Sequence, residues 1–168
     1  MWFEPTATVL VASQAPGARA HASGVPFDDA SGKRLRAWMG VEPAVFYDRA
    51  RIAIVPMAFC FPGYDAQGAD LPPPAICAQT WRERVLGSLP AVALILLVGG
   101  AAQRWHLRHR TGVTQTVAGW RDHPDDATPR VFPLPHPSWR NTAWINRNPW
   151  FEADLLPDLR AALAKALT

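Results

Sequence analysis

Two short loops at opposite ends of the sequence hold the residue types most able to do chemistry in this chain. The first, Ser13-Gln14-Ala15-Pro16-Gly17, follows the apolar run Thr8-Val9-Leu10-Val11-Ala12. A small residue, a proline and a glycine directly after a strand turn backbone amides outward at its carboxyl end, where open α/β sheets bind ligands. Gln14 offers an amide that orients a water but takes up no proton at neutral pH. Further along the same connection, His21, Asp28 and Asp29 are the groups able to act as bases, although such residues more often cap helices or sit at the surface. The second loop, Leu134 to Asn148, sets His136 between Pro135 and Pro137 and continues through Ser138, Trp139, Arg140 and Asn141. A solitary loop histidine is usually a satisfied surface or core group, so its assignment needs a second signal. A glycine-turned loop after a strand is also generic to nucleotide- and phosphate-binding domains.

Four apolar runs read as the strands that must carry these loops: Thr8 to Ala12, Arg51 to Val55, Val92 to Val98 and Arg130 to Leu134. Their near-continuous apolar character fits a parallel sheet covered on both faces. Helical patterns lie between them. Ser31 is placed to cap a helix through Leu35 and Trp38 that stops at Gly40, and Pro73 or Pro74 to open another containing Ile76, Trp81, Val85 and Leu86. Gly100 to Leu107 and Thr116 to Arg121 read as a third and a short fourth. The last helix is expected to start from Asn148 as cap and Pro149 at its first position, and to kink or restart at Pro157. Alternating strands and helices predict an α/β fold, a three-layer α/β/α sandwich around a central, mostly parallel four-stranded sheet. At 168 residues the chain is expected to form a single domain over 1–168.

Composition narrows the class. Apolar residues at 49% and charged residues at 18% exclude a disordered chain. Many of the 17 prolines sit between periodic segments, as at Pro72-Pro73-Pro74, and stiffen loops in the way a preorganised site requires. The net charge of +3 is modest, but Ala101 to Trp150 holds 7 arginines against 3 acidic residues, with His106 and His109 in the run Arg104 to Arg110. Such a stripe suits phosphate contacts. The apolar run Ala91 to Val98 is too short to cross a bilayer, and the Met1-Trp2-Phe3-Glu4 start has no signal-peptide pattern. A cytoplasmic protein with no membrane partner is expected, and its two cysteines suggest no disulfide framework.

The pairing of Ser13-Gln14-Ala15-Pro16-Gly17 with Leu134-Pro135-His136-Pro137-Ser138, and the Gly24-Val25-Pro26-Phe27 segment between them, resembles the two active-site motifs of the uracil-DNA glycosylase superfamily, most of all its iron-sulfur branch. The resemblance runs from Thr8 to the final helix. It implies a DNA repair hydrolase, acting as a monomer, that flips uracil or another deaminated base out of DNA and cleaves its N-glycosidic bond. Phe27 then matches the residue that stacks on the flipped base, a contact worth roughly 1 to 3 kcal/mol. The backbone amides of Gln14 and Ala15, in the loop turned by Pro16 and Gly17, would then grip the base and its water. His136, as a neutral imidazole, donates to the pyrimidine O2 as the leaving base gains charge. Ser138 contacts a phosphate, Trp139 and Arg140 take the wedge position, and Asn141 holds the loop's shape.

The chain departs from that pattern at three places. Where the superfamily carries an acid or asparagine to position water stand Gln14 and Ala15, which leaves Asp28, Asp29 or His21 as alternative bases. Where uracil-specific relatives use an asparagine near the second strand, Pro56 falls instead. Cys60 and Cys77 resemble the second cysteine pair of the 4Fe-4S branch, but a cubane needs four thiolates. The chain as given is therefore expected to hold no cofactor and no iron unless a further pair precedes the first strand. Neither active-site loop contains lysine, so a Schiff-base lyase step is not expected. Two rival readings remain: a DNA- or base-binding module of the same fold that has lost catalysis, and an α/β domain for free nucleotides.

Overall fold

The computed structural model describes residues 2–108, 111–124 and 127–168 of the chain. The four apolar runs form strands β1 (Val9–Ser13), β2 (Ile52–Pro56), β3 (Leu94–Val98) and β4 (Arg130–Leu134). They pair in the order β2-β1-β3-β4, all parallel, with Leu10 level with Ala53 and Ile95. Side chains alternate across the pleat. One face gathers Val9, Val11, Ile54, Leu96 and Phe132; the other gathers Leu10, Ala12, Val55, Ile95 and Leu97. Both faces are apolar, so both must be covered, and the three-layer α/β/α sandwich follows. Each edge strand contains a proline, Pro56 in β2 and Pro133 in β4, the positions where a missing amide costs no central ladder bond.

Among the described residues, eight α-helices supply the covering layers. Between β1 and β2 lie α1 (Ala18–Ser23), α2 (Ala30–Met39) and α3 (Pro43–Phe46). The connection from β2 to β3 carries α4 (Ala75–Gly87), and that from β3 to β4 carries α5 (Gly100–Leu107) and α6 (Val113–Ala118). After β4 come α7 (Thr142–Arg147) and α8 (Leu156–Ala166). Leu35, Trp38 and Met39 of α2, Val117 of α6 and Leu159 and Leu163 of α8 close the first face; Ala78 and Val85 of α4 and Ala102 of α5 close the second. Among the described residues no helix is long and apolar enough to cross a membrane.

Several local expectations are corrected. Asp29, not Ser31, caps α2, its Oδ1 accepting from the Gly32 amide at 2.8 Å. Ser31 falls inside the first turn because the helix opens two residues after Asp28. Asn148 closes α7 rather than opening the last helix, its Nδ2 donating to the Trp144 carbonyl at 2.8 Å. The chain then passes through a π-helical segment, Phe151–Leu155, and restarts as α8 with Pro157 in its first turn, where proline is tolerated. The short fourth helix divides into α6 and a 3-10 turn at Trp120–Asp122.

Beneath β2 an arginine is almost fully buried with no carboxylate partner among the described residues. Arg82, 2% exposed, donates to the Val55 carbonyl at 2.8 Å and to His106 Nε2, also at 2.8 Å. Because a guanidinium only donates, His106 must be the neutral acceptor. Burial and the adjacent positive charge push its pKa down to about 3, and burial lowers that of Arg82 to about 10. His106 is thereby removed from the basic stripe.

Candidate active site

β1 ends in the buried Ser13, and the chain leaving it is pinned from the β2 side. The Met57 amide donates to the Ser13 carbonyl at 2.9 Å and the Ala58 amide to that of Gln14 at 3.1 Å. Gly17 then starts α1. The Gln14 side chain lies against Gly99 at the end of β3; a β-carbon there would meet Gln14 Cγ at 3.2 Å, and Gly99 has φ +85°, a conformation suited to glycine. At the end of β4, a buried Gln103 side chain donates to the carbonyls of Leu97 and Leu134 at 3.3 and 2.9 Å. The Gly99 amide also donates to Leu134 at 2.9 Å. The ends of β1, β3 and β4 are thus locked together before either loop begins.

The second loop is held as firmly. Asn141 Nδ2 donates to the His136 carbonyl at 2.7 Å, and Ser138 caps the 3-10 turn Trp139–Asn141 by accepting from the Arg140 amide. Arg34 reaches over from α2 and donates to the Ser138 carbonyl at 2.9 Å and to Thr142 Oγ1 at 3.2 Å. This clamp had no local signal in the sequence, because its two ends lie 104 residues apart.

Between the loops opens a cavity of about 650 Å³, within the range that accepts a base-sized ligand. Gln14, Ala15, Pro16 and Gly17 form one wall, Phe27 and Asp29 another, and His136, Ser138, Trp139, Arg140 and Asn141 a third. Phe27 holds a left-handed backbone (φ +55°), its carbonyl accepts from Tyr47 Oη at 3.2 Å, and its ring meets Phe46 edge-on at 6.1 Å. Pro56 lines the same space, as the sequence placed it. A smaller cavity of about 370 Å³ adjoins, sharing Gln14, His136 and Asn141 and reaching Gly100 and Thr114. Burial lowers the pKa of His136, against the opposing pull of Asp29 and Asp70, which favours the neutral ring.

Two of the alternative bases lie elsewhere. Asp28 is outside the cavity lining and faces Arg19 at 3.6 Å. His21 is exposed, with its Nδ1 accepting from the Phe61 amide at 3.4 Å. Asp29 lines the cavity but spends one oxygen on capping α2. Asp70, which lines the cavity opposite Gly17, was not anticipated: nothing in Ala69-Asp70-Leu71 marks it locally.

Three arginines of the basic stripe have partners of their own. Arg108 faces Glu83, Arg121 pairs with Asp158 and lies over Trp120, and Arg130 lies over Phe132. Arg140 alone among these arginines lines the cavity, beside Trp139, which is 73% exposed at the rim. His109 and Arg110 lie outside the described residues. Cys60 is exposed and Cys77 half-buried, neither in a disulfide. With two thiolates in the sequence, and no group of three or more His, Cys, Asp or Glu able to hold a metal ion among the described residues, the residues present do not fit a 4Fe-4S cluster. Against this geometry, the family model for the uracil DNA glycosylase superfamily matches residues 1–160.

Proposed function

Because this chain belongs to the uracil DNA glycosylase superfamily, we propose that it is a monofunctional DNA glycosylase that flips a deaminated base from DNA and hydrolyses its N-glycosidic bond. The observation that carries the reading is that the half-buried His136, whose burial favours the uncharged imidazole, lines the same cavity as Phe27. An imidazole that stays uncharged donates a hydrogen bond to the departing base without protonating it early, so the interaction strengthens as negative charge develops. Phe27 stacks on the flipped base, and its locked backbone means the platform exists before DNA arrives. Gln14, fixed against Gly99, orients water or a base edge through its amide. Trp139 fills the space the extruded nucleotide leaves, and Arg140 and Ser138 contact phosphates.

Pro56 occupies the wall where an asparagine would read the uracil edge, which favours a pocket that accepts more than one deaminated base. Duplex and single-stranded oligonucleotides bearing uracil, hypoxanthine or xanthine test the reading. Release of at least one base, leaving an abasic site, is the expected result, and His136→Ala should slow single-turnover excision by about 10² to 10³ while keeping DNA affinity. Wild-type protein that releases none of them would leave a DNA- or base-binding module.

A further inference from the structure

The cavity lacks an acid in its first loop, and the structure supplies one from a different segment. The connection from β2 to α4 closes on itself: Asp65 Oδ1 accepts from the amides of Gln67 and Ala69 at 2.9 and 2.8 Å, and the Leu71 amide donates to the Gly63 carbonyl at 2.9 Å. Tyr64 and Asp70 form an antiparallel bridge within it. This closure holds Asp70 over the first loop, where its Oδ2 lies 3.8 Å from where a β-carbon on Gly17 would stand. Leu71 and Pro72, which follow it, line the same cavity, and the proline stiffens the approach.

Resting on the glycosylase reading, we propose that Asp70 is the catalytic carboxylate that positions the hydrolytic water and takes its proton. The assignment follows from what the other acids are doing. Asp28 faces Arg19 outside the cavity, and Asp29, although in the lining, commits its Oδ1 to the Gly32 amide that caps α2. The Asp70 carboxylate makes no hydrogen bond or ion pair with any described residue and faces the cavity that also contains His136. Its negative charge, after that of Asp29, opposes the lowering of the His136 pKa by burial, so the Asp70 and His136 side chains share one electrostatic environment. Gln14 complements it: one group orients the water, the other accepts a proton.

In the step assigned to Asp70, the bond between C1′ and the base nitrogen breaks and its electron pair leaves with the base, which His136 stabilises. The water oxygen bonds to C1′, one of its protons passes to the Asp70 carboxylate, and the departed base anion gains its proton from solvent. The products are free base and an abasic site, with no oxidant or cofactor consumed. Until water attacks, C1′ carries positive charge, which the nearby carboxylate also stabilises.

The test compares wild type, Asp70→Asn and Asp29→Asn, each shown folded by circular dichroism. On the preferred base, D70N should lose about 10² to 10⁴ in single-turnover excision and D29N much less, because asparagine still caps a helix. Binding gives an arm independent of turnover. Duplexes carrying a cationic azasugar abasic analogue should bind D70N about tenfold or more weakly than wild type, whereas a neutral tetrahydrofuran site should bind both alike. D70N with wild-type excision, or with undiminished affinity for the cationic analogue, overturns the assignment; so does D29N as the deeper loss. If wild type excises no base, the glycosylase reading falls, and the azasugar comparison alone judges whether Asp70 faces the sugar.

Discussion

Gly32 lies in the first turn of α2, and a single methyl there should disable the base platform from behind. A β-carbon on Gly32 would stand 1.8 Å from the Phe27 carbonyl oxygen and 2.7 Å from both its carbonyl carbon and its Cβ. A tolerable carbon-to-oxygen contact is about 3.3 Å, so the Phe27 carbonyl must retreat by about 1.5 Å. It has little room to do so. That carbonyl accepts from Tyr47 Oη, the ring abuts Phe46, and Asp29, two residues on, is tied to the Gly32 amide. Overpacking of this kind costs about 1 to 3 kcal/mol, which for a domain of this size lowers the melting temperature by roughly 2 to 12 °C. If Phe27 stacks on the flipped base as proposed, Gly32→Ala should also weaken its capture by roughly 5- to 150-fold, the equivalent of 1 to 3 kcal/mol of stacking. Calorimetry reads the first effect and equilibrium binding to a base-containing duplex against a tetrahydrofuran duplex reads the second. Gly24→Ala is the control, since Gly24 is left-handed (φ +71°) with no atom within 4 Å of the added carbon, so it should cost stability without touching base capture. Gly32→Ala with wild-type melting and wild-type base capture would refute the claim that α2 and Phe27 form one rigid unit.

Two other perturbations have definite signs. The folded-state pKa of His106, about 3, lies below its unfolded value, so the unfolded chain takes up the proton first as pH falls. Its contribution to stability is complete above the ordinary histidine value of about 6.5 and is lost toward about 3, by up to about 1.4 kcal/mol per pH unit. His106→Gln keeps an acceptor for Arg82 and should flatten that loss in urea titrations across the window; an unchanged wild-type-minus-variant difference would contradict the buried pair. Arg140→Ala should reduce the slope of log affinity against log salt for plain DNA by about 0.9, one phosphate contact, and an unchanged slope would place the guanidinium away from the backbone.

The sheet was legible because its strands are apolar on both faces, a pattern that survives without knowledge of any partner. Val9 to Ala12 and Leu94 to Val98 have few other ways to be buried. The two loops were legible because a glycine-turned strand end and a histidine between prolines are local chemistry, and the superfamily resemblance ordered them. Helices α1 and α3 were not, since six and four residues are too few to show a helical period. Asp29 and Ser31 are both good caps by type; the packing of Gly32 on the Phe27 carbonyl decides between them.

By itself, then, the sequence determined the layered architecture and the strand ends that carry the two loops, because these depend on local pattern and hydrophobic burial, while the superfamily resemblance pointed to half of the residues that line the cavity. Only the tertiary structure decided which acids serve structure and which face the cavity. Asp28 turned to Arg19, Asp29 to the start of α2, and Asp70 arrived beside Gly17 from 53 positions away. Charge and hydrogen-bond partners are properties of neighbours in space, and a long loop carries no record in its own residues of the wall against which it will close.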